Sequence, residues 1–209
     1  MKKFVFLFML LFMGYHVSSY AQAVDDREVV PLSVTLNSIL RLNIESGGNI
    51  EFNFNTLQQY ENGINYPFTD EQYSTQLTVA SSVNYDLEMG AEDSRLVSTD
   101  TVNATGGMDL AHILYRVTLS SSSSFTDGTE LDLYSSARPL NQIGSGIVNE
   151  IIQNNGGNAG GVTDNSFRID WACGVPTGTI GTSAGALMGS NMTGGRYSTN
   201  VFFILKPAD

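Results

Sequence analysis

Cysteine is almost missing: Cys173 is the only one in 209 residues. That excludes an internal disulfide, so the core itself must hold the fold. Cys173 lies two residues past Trp171, on the same face of an extended chain. It reads as a small buried hydrophobe rather than a thiol that pairs between molecules. Histidine is nearly as scarce, and past residue 23 only His112 remains. A zinc site needs three or four His, Cys or carboxylate ligands, which these two residues do not supply. Basic residues are few, 10 Lys+Arg against 21 Asp+Glu, for a formal net charge of −11. Such a surface repels nucleic acid and anionic lipid. No apolar run reaches the ~20 residues that span a bilayer, so a membrane-spanning chain is not expected. The five prolines include none at the heart of a strand-like stretch, as ladder-forming strands require.

What is present begins with Lys2 and Lys3, an apolar run from Phe4 to Met13, and Ala21-Gln22-Ala23. A positive start, a short apolar core and a small-x-small site make a secretory signal peptide over residues 1–23. The expectation is an exported protein, at the cell surface or outside the cell, with 24–209 as one domain.

Alternation with period two, the mark of a half-buried strand, recurs along that domain. Leu32, Val34 and Leu36 alternate, as do Leu40, Leu42 and Ile44. Ser46-Gly47-Gly48 then turns into Ile50, Phe52 and Phe54, which predicts a hairpin. Val83, Tyr85, Leu87 and Met89 make the cleanest amphipathic strand. Ile113 to Leu119, Leu131 to Leu133, and Phe167 to Trp171 add further strands. The spacing of Ile143, Ile147, Val148, Ile151 and Ile152 predicts one short helix. Asn154 to Gly161 reads as a flexible loop. Gly194 to Leu205 is apolar on both faces and predicts a closing strand covered on both sides, not a free edge. Many short strands, turn signals and little helix give an all-β, antiparallel β-sandwich.

Signals for chemistry are thin. Gly181-Thr182-Ser183-Ala184-Gly185 matches the G-x-S-x-G nucleophile pattern of serine hydrolases, including patatin-like ones. The motif works at a sharp turn from an apolar strand into a helix, yet Gly174 to Gly181 is rich in Gly, Thr and Pro. His112 precedes the serine, and Asp209 is the only carboxylate after it. The expectation is no enzyme. Glu92-Asp93 and Asp127 to Asp132 carry carboxylates that either bind calcium or form solvated turns. No cofactor is implied. Tyr60, Tyr66, Phe68 and Tyr73 share one polar stretch and form a candidate glycan-contact loop, the alternative being that they cover a core edge. Asn103 and Asn191 head N-x-T sequons.

The run Ser82-Val83-Asn84-Tyr85-Asp86-Leu87-Glu88-Met89, then Ile113-Leu114-Tyr115-Arg116-Val117, and finally Gly194-Gly195-Arg196-Tyr197 leading into Val201-Phe202-Phe203 resembles pilin-like secreted bacterial β-sandwich proteins. These are the spore-coat-U-like and fimbrial subunits, although this chain lacks the disulfide and near-terminal tyrosine that many fimbrial subunits carry. The resemblance implies an immunoglobulin-like sandwich and a homo-polymer, a fibre or pilus-like filament built with periplasmic or surface assembly factors. It also implies donor-strand complementation, in which a neighbour's segment fills a missing strand. Residues 24–36 fit a donor, with Val29, Val30, Leu32, Val34 and Leu36 as its apolar side chains; otherwise they form the domain's own first strand. A monomeric carbohydrate-binding or adhesive module is the competing expectation, with a serine hydrolase acting through Ser183 a third.

Overall fold

The computed structural model describes residues 30–100, 107–121, 123–146, 149–176, 185–190 and 192–208. The chain divides into two units, Met1–Leu36 and Asn37–Asp209. In the first, the described residues Val30 to Leu36 form no strand. Val30, Leu32, Val34 and Leu36 are all strongly exposed, Leu32 at 90%.

The second unit is built from antiparallel sheets, so the all-β expectation holds. One sheet has the order β1-β2-β10-β6-β8, with β1 at Leu40–Ser46, β2 at Ser74–Ser81, β10 at Ser166–Cys173, β6 at Ile113–Leu119 and β8 at Arg138–Pro139. Another has the order β12-β3-β9-β7, with β12 at Val201–Pro207, β3 at Tyr85–Ala91, β9 at Glu150–Asn154 and β7 at Leu131–Leu133. A small third sheet joins β11 (Tyr197–Ser198), β4 (Arg95–Ser98) and β5 (Met108–Asp109).

The two larger sheets share one core. On β10, Phe167, Ile169, Trp171 and Cys173 point inward, as alternation dictates. On β3, Tyr85, Leu87 and Met89 do the same. Each such side chain stabilises the fold by ~1.5–3 kcal/mol through burial. Cys173 is a buried free thiol, as its place beside Trp171 suggested, and burial pushes its pKa up.

Four local expectations differ from the structure. The hairpin does not form: Leu40 to Ile44 pair with β2, Leu42 opposite Val79, while Ile50 to Phe54 run extended outside any ladder. Pairing with β2 half-buries Leu40 and Leu42 against the core while Ile44 stays exposed, and that register outweighs a short local turn. The helix expected over 143–152 is absent: Ile143 lies in a turn and Ile151 and Ile152 lie in β9, with Ile147 and Val148 outside the described residues. Gly144 and Gly146 both take positive φ, which breaks a helix there. The described helix is instead α1, Leu57–Asn62, started by a Thr56/Gln59 capping box. The loop 154–161 is pinned rather than loose. Asn158 is fully buried, its Oδ1 accepting from Tyr85 N at 2.9 Å and its Nδ2 donating to Tyr85 O at 2.8 Å. Tyr85 Oη in turn donates to Asn165 Oδ1 at 2.6 Å. Lastly, β12 is the outermost strand of its sheet, with Phe202 43% and Ile204 37% exposed. Its second apolar face meets solvent, and among the described residues no strand pairs beyond it.

Candidate functional site

A cleft in the second unit opens where β1 ends. Gly47 has φ +67, and a Cβ there would sit 1.9 Å from Ser74 O, so only glycine fits. Thr75 Oγ1 donates to Gly47 O at 2.7 Å and accepts from Trp171 Nε1 at 3.0 Å. This fixes the exit of β1 to the five-stranded sheet. The chain then runs as an extended strap, residues 48–55. Ile50, Phe52 and Phe54 turn inward onto the core, and Glu51, Asn53 and Asn55 are exposed. Phe52 stacks on Tyr73 at 4.9 Å between ring centroids with planes 13° apart, and Phe54 meets Tyr60 at 5.2 Å. Beyond α1, Ile64 and Cys173 exchange main-chain bonds of 2.8 and 3.1 Å. The strap is therefore anchored at both ends.

Its middle is unpaired. From Gly48 to Phe54 no main-chain group bonds another main-chain group, among the described residues. Across from it stand residues 192–203, including β11 and the start of β12. Among the described residues β12 pairs with β3 on one side only. Between strap and far wall lies a cleft of about 740 Å³. Its floor is core: Leu96, Met108, Ile113, Leu140, Trp171 and Cys173. Tyr197, Val201 and Phe203 line the far wall. Arg196 Nη2 and Glu51 Oε1 approach to 4.0 Å across the gap, both side chains more than half exposed. In size and lining the cleft suits a bound segment with apolar side chains.

The four aromatics of the candidate glycan loop do not form one platform. Tyr60 lines the cleft and Tyr73 lies under Phe52. Tyr66 and Phe68 pack edge-on at 5.6 Å on the other face of the five-stranded sheet. There Phe68 is buried beneath the Arg116 guanidinium, which pairs with Asp170 at 2.9 Å. Ser183, Asn103 and Asn191 lie outside the described residues. His112 is half-buried, its Nδ1 2.9 Å from Gly185 O. The carboxylates considered for calcium serve turns: Asp127 Oδ1 accepts from Leu133 N, and Glu130 Oε2 from Thr126 N. Glu92 Oε2 accepts from Asn200 Nδ2, which ties the end of β3 to the start of β12. Among the described residues no cluster of three or more His, Cys, Asp or Glu is placed to hold a metal ion. Of the donor candidates, Val29 lies outside the described residues, and Val30, Leu32, Val34 and Leu36 stand exposed.

The residues that build the cleft escaped sequence reasoning, which assigned Ile50, Phe52 and Phe54 to a hairpin. Gly47-Gly48 was the available signal, since a paired glycine marks a departure from a ladder as well as a turn. Comparison with protein-family models finds no match, and comparison with curated proteins finds none. No helix among the described residues is long and apolar enough to cross a membrane.

Proposed function

We propose that this protein is an exported structural subunit of a surface fibre or pilus-like filament, with an immunoglobulin-like sandwich that a neighbouring copy completes by strand exchange. The observation that carries this is the cleft: core side chains form its floor, and both flanking backbones have unused bonding groups. An open sheet edge above an apolar floor accepts an extended segment through main-chain bonds and alternating side chains. The occupant is residues 30–36 of a second copy. They alternate apolar side chains, stand exposed, and span the same number of residues as β12. A strand of that length extends ~3.3 Å per residue and so runs the full edge. Burying four such side chains in the cleft contributes ~1.5–3 kcal/mol each.

Negative-stain microscopy and sedimentation of the exported protein test the reading. Filaments or concentration-dependent oligomers are expected, and lost when residues 24–36 are deleted. A chain that stays monomeric at every concentration overturns it, and a deletion that destabilises such a monomer places the segment in its own domain. A second reading, a monomeric carbohydrate-binding or adhesive module, draws on Tyr60, Asn53 and Asn55 lining the same cleft. A glycan array with no binding removes it.

A further inference from the structure

We infer that the strap 48–55 is a hinged gate, and that the Glu51–Arg196 pair across the mouth sets how readily an incoming strand enters. The inference rests on the strand-exchange reading and concerns its control. The strap is fixed at its ends, at Gly47 against Ser74 and beyond α1 at Ile64 against Cys173. Along residues 48–54, among the described residues, no main-chain group bonds another main-chain group, and the next main-chain tie to another segment is Tyr60 O, which accepts from Met188 N at 2.9 Å. Its aromatic fasteners, Phe52 on Tyr73 and Phe54 on Tyr60, belong to its own side of the cleft. Its one polar contact with the far wall, among the described residues, is Glu51 to Arg196. Arg196 is steadied from behind, because its main-chain N donates to Asp100 Oδ1 at 2.6 Å and its carbonyl accepts from Thr99 N at 2.9 Å. The strap therefore moves away from the far wall without breaking a main-chain ladder: it gives up the exposed Glu51–Arg196 pair and part of the apolar packing of Ile50, Phe52 and Phe54 on the core.

The full chain tests this directly. Glu51→Cys and Arg196→Cys are joined by a reducible methanethiosulfonate crosslinker; Cys173 is buried and does not compete. Entry of a synthetic peptide of residues 24–36 is followed by the fluorescence of Trp171, the single tryptophan, which lies in the cleft floor. Light scattering follows self-assembly. The bridged protein is expected to lose both, and reduction to restore both. A bridged protein that takes up peptide at the unbridged rate overturns the gate. Without a crosslink, Glu51→Gln and Arg196→Gln each speed entry by about 1.5- to 5-fold, the range of an exposed pair. The double variant should match either single one, and the gain should vanish in 1 M salt, where the screening length is ~3 Å. Unchanged entry in both single variants removes the ion pair's role. If the unaltered chain neither takes up peptide nor assembles, strand exchange itself falls and the gate with it.

Discussion

The two sides on which the larger sheets end are closed in opposite ways. On one side β7 bonds β9, and then Tyr134 reaches both sheets. Its N–H donates to Ile151 O, and its carbonyl accepts from Val117 N, each at 3.3 Å. β8 continues onto β6, and the Arg138 guanidinium lies 3.9 Å over the Tyr134 ring. On the other side the strap sends in side chains but no main-chain bonds. Apolar packing alone thus covers a core without closing a sheet. The ladder is what makes a side permanent, because breaking it strands polar groups that packing cannot satisfy.

Hydrogen exchange gives the largest expected contrast. The amides of Val117 and Tyr134 should exchange on the order of 10³-fold or more slower than those of residues 48–54. Comparable protection on both sides would erase the distinction. Proline substitution comes next. Tyr134→Pro removes an N–H that crosses to β9 and should cost ~3 kcal/mol or more in urea unfolding. Asn53→Pro removes an N–H that bonds nothing, so a change within ~1 kcal/mol is expected. Equal losses would mean that the strap has a partner in solution. Side-chain packing should then show a smaller gap. Phe52→Ala, at a half-buried site, should cost ~1–2 kcal/mol, below the 3–5 kcal/mol typical of a fully buried phenylalanine. Phe167→Ala, in the core, supplies that upper value for comparison.

The smallest effect concerns pH. Glu45, at the end of β1 before the strap, accepts from Asn43 Nδ2 at 2.7 Å and Thr78 Oγ1 at 2.9 Å. The Asn43 bond, and then the Thr78 bond, hold its carboxyl below the usual range. A depressed folded-state value favours the carboxylate. The contribution is present above the ordinary carboxylate range and is lost as pH falls through the folded value. Glu45→Gln should flatten that slight acid-side slope in denaturation curves; a slope identical to the parent's would dismiss the contribution.

Much of the fold was legible because alternation decides it locally. Tyr85, Leu87 and Met89, or Phe167, Ile169 and Trp171, point to one face whichever neighbours they have. Partner choice was not legible. Leu40 to Ile44 fit a hairpin with Ile50 to Phe54 as well as they fit β2, and only the distant Val79 and Leu77 settle the matter. Polar residues misled in the opposite direction: Asn158 and Asn165 look like loop residues, yet both are buried because each finds partners in Tyr85. The cleft was hidden for a related reason. A gap is a property of two unpaired backbones, and the alternating apolar side chains beside it look the same whether or not a ladder forms.

The Tyr85–Asn158–Asn165 joint has an environmental consequence. It is made of neutral side chains and main-chain groups, and no sulfur or metal takes part. Reductants and chelators have nothing in it to attack. Its one titratable member, the Tyr85 phenol, is pushed upward by burial, so acid and neutral media leave it uncharged. The joint is a fastener indifferent to redox state and to pH below the phenol's range.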